Sequence, residues 1–158
     1  MPVYRKLYEG TKKISPGSIR HVTSLDRCKV EDVQYMDSIK QITFIGTVYS
    51  KHSKQYYNCI VSFDSIERNE GLSNTELEKG LLPKPTLARD PIQVYCSCKS
   101  YRFRADFANR RRHAGTGPHF PPYHRISDRA PYNPRNIACF CKHIIEFVDY
   151  LKKQGFVH

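Results

Sequence analysis

Two runs of apolar and β-branched residues, separated by a short polar stretch, stand out near the middle of the chain. The first is KQITFIGTVYS (residues 40–50) and the second is QYYNCIVSFDSI (residues 55–66), each dominated by Ile, Val, Thr, Tyr and Phe. The polar residues KHSK lie between them, a spacing typical of an antiparallel hairpin. A third run of this kind, PIQVYCSC, covers residues 91–98. The pattern therefore predicts a β-hairpin followed by a third strand.

Two later stretches have the spacing of helices instead. Neither Gly nor Pro interrupts the chain over residues 101–113. One face of a helix over this segment would carry Tyr101, Ala105, Ala108 and Arg112, so we expect a helix that ends at Gly115. Near the end of the sequence, CKHIIEFVDYLKKQGF places apolar residues at positions 144, 145, 147, 148 and 151. These positions share one face of a helix, and Gly155 is a typical helix end. We expect an amphipathic helix there.

Periodicity is weak and turn residues are frequent in the first part of the chain. We expect an extended N-terminal arm over residues 1–38, with one short helix near residues 24–36. Residues 39–158 then form one domain, because a chain of 158 residues is long enough for a single modest core. The predicted fold class is α+β: an antiparallel hairpin plus a third strand, with two helices.

Basic residues outnumber acidic ones and are unevenly distributed. The chain has 26 Lys and Arg against 15 Asp and Glu, a net charge of +11, and residues 99–135 alone hold nine basic and two acidic residues. This concentration points to phosphate backbones, an acidic protein partner or a membrane surface. No apolar run is long enough to span a membrane. The arginines that we expect to contact a partner are Arg102, Arg104, Arg110, Arg111, Arg112, Arg125 and Arg129.

The same basic segment suits either a protein or a nucleic-acid partner. Aromatic side chains are interleaved with its arginines, a mixture found in base-stacking surfaces and at the centres of protein interfaces. Five prolines within residues 115–135 favour an extended, semi-rigid loop that could lie along a neighbouring subunit. Arginine suits bidentate pairing with carboxylates, and phosphates accept the same geometry. We expect docking on protein, with nucleic-acid binding as the alternative.

Four of the six cysteines lie in two tight groups. One residue separates Cys96 from Cys98, and one residue separates Cys141 from His143. On an extended segment, side chains with this spacing point to the same face, so each pair can hold one ion from one side. Three thiolates and one imidazole suit tetrahedral Zn²⁺, and four protein ligands leave no open position, which is typical of a structural site.

Other roles for the cysteines stay open at this point. Six cysteines permit disulfides, although a reducing cytoplasm disfavours them and a bridge within Cys-x-Cys would be strained. Cys139 could replace His143 and give a Cys₄ site. Cys28 and Cys59 are predicted to be buried apolar residues. The chain starts with a polar, basic stretch and no apolar signal segment, so we expect it to mature in the cytoplasm.

The order Cys-x-Cys, a variable segment and Cys-x-His resembles the SWIM-type zinc finger. Here 42 residues lie between Cys98 and Cys141. The resemblance implies that the first pair follows a β-hairpin, that the second pair opens a helix, and that residues 99–135 are a basic helix-loop insertion. The length of that insertion departs from the family pattern. Within the family, YCSCKSYRFRADFANRRR and NPRNIACFCKHI are similar to segments of small bacteriophage virion proteins.

These observations predict a protein that is not an enzyme. The sequence has no Gly-rich phosphate loop, no nucleophile elbow and no convincing pair of carboxylates, so we expect no small-molecule substrate. The similarity to virion proteins implies a zinc-stabilised structural component of a large assembly, in a phage tail, baseplate or neck. It would join other protein subunits of the virion after synthesis in the cytoplasm. The alternative is a nucleic-acid-binding zinc finger that uses the arginine-rich insertion.

Overall fold

The computed structural model describes residues 1–20, 27–66, 84–120 and 133–158, and within them the fold is mixed α+β. Its elements along the chain are helices α1 (Tyr4–Ile14) and α2 (Gly17–Arg20), strand β1 (Cys28–Met36), a 3₁₀ turn (Asp37–Ile39), strands β2 (Gln41–Ser50), β3 (Gln55–Phe63) and β4 (Ile92–Cys96), a π-helical turn (Tyr101–Ala105), and helices α3 (Asp106–Arg111) and α4 (Lys142–Lys153). Among the described residues, no helix has both the length and the apolar character needed to cross a membrane.

The four strands form one antiparallel sheet in the order β1-β2-β3-β4. The predicted hairpin is confirmed, because β2 and β3 pair continuously from Ile42–Phe63 to Ser50–Gln55. The predicted third strand is confirmed as β4, which pairs with β3 so that Cys59 lies opposite Cys96. This register places the first predicted ligand at the end of the sheet, next to another cysteine.

The described residues of the N-terminal part, 1–20 and 27–38, differ from the prediction of an extended arm over residues 1–38 with a helix near residues 24–36, of which residues 24–26 lie outside the described residues. Helix α1 buries Leu7 completely, and β1 is a strand paired with β2. A register shift between Val30 and Asp32 explains why β1 was not predicted as a strand. The shift brings Val33 opposite Phe44 on the core face. Val30 and Val33 have the three-residue spacing of a helix face, but in the structure they lie on a strand, on either side of a β-bulge.

Helix α4 covers one face of the sheet and closes the core. Ile144, Phe147, Val148 and Leu151 are all buried, which confirms the amphipathic helix predicted over this segment. Full burial of a side chain of this size stabilises a fold by about 1.5–3 kcal/mol. The ring of Phe147 lies so close to Gly46 on β2 that a side chain there would come within 2.7 Å of it. The helix is therefore seated directly on the middle of the sheet.

The predicted helix over residues 101–113 is present in two parts, the π-helical turn and α3, and the chain leaves it before Gly115. The buried Tyr101 hydroxyl donates a hydrogen bond of 2.6 Å to the carbonyl oxygen of Val94 on β4. Val94 also forms a parallel bridge with Gly115. Both contacts hold the start and the end of this helical segment against the last strand.

Candidate metal centre

The structure brings together the four residues that the sequence predicts as metal ligands. Cys96 ends β4, Cys98 follows it in a turn, Cys141 precedes the first residue of α4, and His143 lies in the first turn of that helix. One ligand atom from each residue lies within 4.8 Å of all the others. Their exposed fractions are only 0%, 2%, 1% and 4%, so the group is closed to solvent.

The spacing and chemistry of this group fit a metal ion. Sulfur atoms bound to one tetrahedral Zn²⁺ lie about 3.8 Å apart, and the Nδ1 atom of His143 is 4.0 Å from the Sγ atom of Cys96. Thiolates and imidazole are ligands that soft and borderline metal ions prefer. The four buried residues could therefore bind one metal ion, as in a zinc-finger-like protein.

The protonation of the three thiols depends on their mutual contacts. Hydrogen bonds from Cys141 and Cys96, in that order, hold the pKa of Cys98 well below its usual range. Burial raises the pKa of Cys96 and of Cys141. The backbone N–H of Tyr101 also donates to Cys98 Sγ across 3.2 Å, which favours a thiolate there. A bound cation would allow all three sulfurs to ionise in so buried a place.

Cys59 lies beside the group as an additional buried thiol. Its Sγ atom is 3.9 Å from Cys96 Sγ, and it is completely buried, as predicted. Burial raises the pKa of Cys59, so it stays protonated and can donate its S–H to the Cys96 sulfur. The sequence pattern gave no sign of this contact, because it depends on the register between β3 and β4.

Two residues that the sequence analysis missed position the second ligand pair. The buried side chain of Asn109 donates to the carbonyl oxygen of Cys139 and accepts from its N–H, both at 2.9 Å. The hydroxyl of Thr11 on α1 accepts a hydrogen bond of 2.7 Å from the N–H of Phe140. An Asn in the last turns of a helix is an unfavourable choice by propensity alone, which is the one sequence signal that could have found it.

Cys139 is not part of the four-residue group, although it is only two residues from Cys141. It is buried, and burial raises the pKa of its thiol to about 11. Among the described residues, the group of possible ligands therefore contains His143 and not Cys139, so the Cys₄ alternative is not supported. All six cysteines lie among the described residues, and each is a free thiol.

Three of the predicted binding arginines are engaged within the protein. Arg110 donates to Asp106 Oδ1 at 2.9 Å and to the carbonyl oxygen of Pro118 at 2.7 Å. Arg104 donates to the hydroxyl of Ser15, linking the insertion to the segment after α1. The guanidinium of Arg102 lies over the rings of Phe103 and Phe120. These side chains hold the insertion together.

Two other arginines in this set face outwards. Arg111 and Arg112 are exposed, and the Arg111 guanidinium lies 5.8 Å from the ring centre of Phe107, which is itself 63% exposed. Arg125 and Arg129 lie outside the described residues. The outward side of α3 and the residue that follows it therefore expose two cations and one aromatic ring to solvent.

Comparison with protein-family models, with curated proteins and with solved structures gives no match. The site is therefore defined by its own residues. These establish a buried cluster of three cysteines and one histidine that could hold a metal ion.

Proposed function

We propose that Cys96, Cys98, Cys141 and His143 hold one Zn²⁺ ion with a structural role. The observation that carries this proposal is the nearly complete burial of all four donors in one group. A site with four protein ligands has no open position for water or substrate, unlike the zinc sites of hydrolases. When bound, zinc supplies the positive charge that compensates the thiolates and joins two distant segments of the chain.

We further propose that the arrangement is of the SWIM type. The first pair follows an antiparallel hairpin and a third strand, and the second pair opens α4. This is the context that the resemblance implies. The segment between the pairs contains the π-helical turn and α3, and Asn109 joins it to the backbone of Cys139, two residues before the second ligand pair.

We infer that the protein is a non-enzymatic structural component of a large assembly, a phage virion tail, baseplate or neck, which it enters after synthesis in the cytoplasm. The resemblance to virion proteins supports this role, and so does the exposed group of Phe107, Arg111 and Arg112 on α3. Arginine and aromatic side chains are enriched at the energetic centres of protein interfaces. Nucleic-acid binding by the same arginines is the second candidate function, favoured by the net charge of +11.

The decisive variant is the double charge reversal Arg111→Glu with Arg112→Glu, with Arg110 left intact. Arg110 is unsuitable because it ties Asp106 to the Pro118 carbonyl, so its loss would alter folding as well as docking. The matched control is Lys152→Glu with Lys153→Glu at the exposed end of α4. Both double variants change the net charge by the same amount, and both should retain zinc.

The experiment compares particle assembly and DNA binding for the two doubles. Failure to assemble in the α3 double alone supports the structural role. Submicromolar DNA binding that falls steeply with salt and is lost in that double, while particles still form, supports the second candidate. Elemental analysis of the parent protein tests the metal separately: a folded chain without zinc contradicts the proposed site.

A further inference from the structure

Cys59 and Cys96 face each other on neighbouring strands beside the metal centre. They are register partners in the antiparallel ladder between β3 and β4, and their Sγ atoms are 3.9 Å apart. Both side chains are completely buried. Cys59 is not one of the four residues of the metal cluster, so the function proposed above gives it no role. One metal ligand is thus in contact with a further thiol that lies outside the cluster.

The hydrogen bonds of the ladder show what kind of pair these two cysteines form. At the neighbouring pair, the N–H of Ser97 donates a hydrogen bond of 3.0 Å to the carbonyl oxygen of Asn58. Hydrogen-bonded and non-hydrogen-bonded pairs alternate along an antiparallel ladder, so Cys59 and Cys96 form a non-hydrogen-bonded pair. The Cα atoms of such a pair are about 4.5 Å apart, which is within the range that a disulfide spans.

The sheet holds Cys59 opposite Cys96 more firmly than the cluster holds its other thiols there. Cys98 is only two residues from Cys96, and a disulfide within Cys-x-Cys would be strained. Cys141 lies on a different segment, directly before α4, so it moves away from Cys96 whenever that segment opens. Cys59 stays in place, because the backbone hydrogen bonds of β3 and β4 fix the two strands side by side.

We propose that Cys59 and Cys96 form a disulfide when the protein meets a peroxide, and that this cross-link expels the metal ion. Peroxide first converts the Cys96 thiol to a sulfenic acid, so that one of its oxygens is transferred to sulfur and the other leaves as water. The Cys59 sulfur then attacks the Cys96 sulfur, the S–O bond breaks, and the hydroxyl leaves with the Cys59 proton as a second water. Two thiols are oxidised and one peroxide is reduced, by two electrons.

The disulfide and the metal ion exclude each other, because both use the Cys96 sulfur. The two Sγ atoms must approach from 3.9 Å to bonding distance, which rotation of two side chains supplies without a change of strand register. Since the sulfur atoms are buried, peroxide reaches them during local opening at the start of α4, and a molecule of nearly the size of water needs only a small opening. Metal release rests on the zinc site proposed above, whereas the cross-link rests on the sheet.

The first test treats the zinc-loaded full chain with hydrogen peroxide and follows the released metal with a chromophoric zinc indicator. We expect one zinc ion to be released for every two thiols lost. Mass spectrometry of the non-reduced peptides should find Cys59 linked to Cys96, and fragmentation distinguishes this from a link to Cys98. A disulfide between two cysteines of the cluster, with Cys59 still a free thiol, overturns the proposal. A chain that keeps its zinc and all its thiols overturns it equally.

The second test uses reversibility to separate the disulfide from general oxidation of the sulfur atoms. A thiol reductant and added zinc should restore the metal content of the oxidised parent. In Cys59→Ala the sulfenic acid at Cys96 has no thiol opposite it and oxidises further to a sulfinic acid, so this variant should recover less than about a fifth of its zinc. Cys28→Ala removes a different buried thiol, on β1, and should recover as the parent does. Equal recovery in the parent and in Cys59→Ala overturns the role of Cys59.

Zinc analysis before oxidation separates this inference from the proposed function. A folded chain without zinc contradicts the zinc site, but a link between Cys59 and Cys96 in that chain still supports the cross-link, because the register of β3 and β4 does not involve the metal. A zinc-loaded chain that forms other disulfides overturns the cross-link and leaves the zinc site intact. The peptide map is made on the parent chain, so it decides the question even where Cys59→Ala fails to fold.

Discussion

The side chain of Asn109 is hydrogen-bonded twice to the backbone of Cys139, in the manner of a neighbouring β-strand. Both bonds are 2.9 Å long, and Asn109 is completely buried. Since Cys139 lies two residues before Cys141, this contact fixes the path of the chain into the second ligand pair. Helix α3, in the basic insertion, is thus part of the support of the metal centre.

Replacing Asn109 with Ala should destabilise the protein by about 3 kcal/mol, because a buried N–H and a buried C=O both lose their partners. Chemical unfolding of the zinc-loaded chain measures this change. Asn58→Ala is the control, because Asn58 is exposed on β3, and it should change the free energy of unfolding by less than about 0.5 kcal/mol. Similar small effects in both variants would show that the two hydrogen bonds contribute little.

Strands β2, β3 and β4 and helix α4 could be predicted because their apolar residues follow one another closely in sequence. Helix α1 could not, because its buried face consists of Leu7, Gly10 and Thr11, of which only Leu7 is a large apolar residue. Strand β1 was concealed by the register shift after Val30. In both cases the missing information is a tertiary contact, and local composition cannot supply it.

The metal ligands could be predicted because each pair is local in sequence and its residue types are chemically distinctive. Their supports could not be. Asn109 contacts the backbone of a residue 30 positions away, and Thr11 contacts one 129 positions away. The inward role of Arg110 was hidden for the same reason, since charge in a sequence does not reveal which carbonyl oxygens a guanidinium will meet.

Serine substitutions at Cys141 and Cys139 should have different effects on the metal. Cys141→Ser removes a ligand from the buried group and should abolish zinc binding, as measured by elemental analysis after dialysis. Cys139→Ser should leave the zinc content at one ion per chain, because Cys139 lies outside the group. Loss of the metal should be accompanied by extensive unfolding, since such ions contribute on the order of 10 kcal/mol to folding. Equal zinc loss in both variants would contradict the assignment of His143 as the fourth ligand.

The Cys28 thiol should make stability depend on alkaline pH. Burial raises its pKa from the usual 9.0 to about 12, so the folded state holds this proton more tightly than the unfolded state. The resulting stabilisation is fully present below the unfolded pKa of about 9 and is lost as pH rises towards 12. Cys28→Ala lacks this proton, so the difference in unfolding free energy between parent and variant should shrink across that window. A difference that stays constant with pH would contradict the prediction.

Alanine substitutions at two helical glycines should have opposite effects on stability. In an exposed helix, Gly→Ala stabilises by about 1 kcal/mol, because alanine loses less backbone entropy on folding. Gly17 in α2 has no atom within 4 Å of the position that a Cβ would occupy, so Gly17→Ala should be neutral or stabilising. At Gly10 in α1 the added Cβ would overlap the carbonyl oxygen of Ala138 and lie 3.1 Å from the Ile137 side chain.

Gly10→Ala should therefore destabilise by about 1–3 kcal/mol, because the obstacle is backbone and α1 must shift to admit the methyl group. The shift would also strain the hydrogen bond that Phe140 N–H donates to the hydroxyl of Thr11. Thr11 follows Gly10 on α1, and Phe140 directly precedes the proposed ligand Cys141. Thermal unfolding of the zinc-loaded chain should show a lowered midpoint for Gly10→Ala and an unchanged or raised midpoint for Gly17→Ala. A stabilising effect at Gly10 would mean that α1 does not rest on residues 137–138, and that the N-terminal helix has no part in supporting the metal centre.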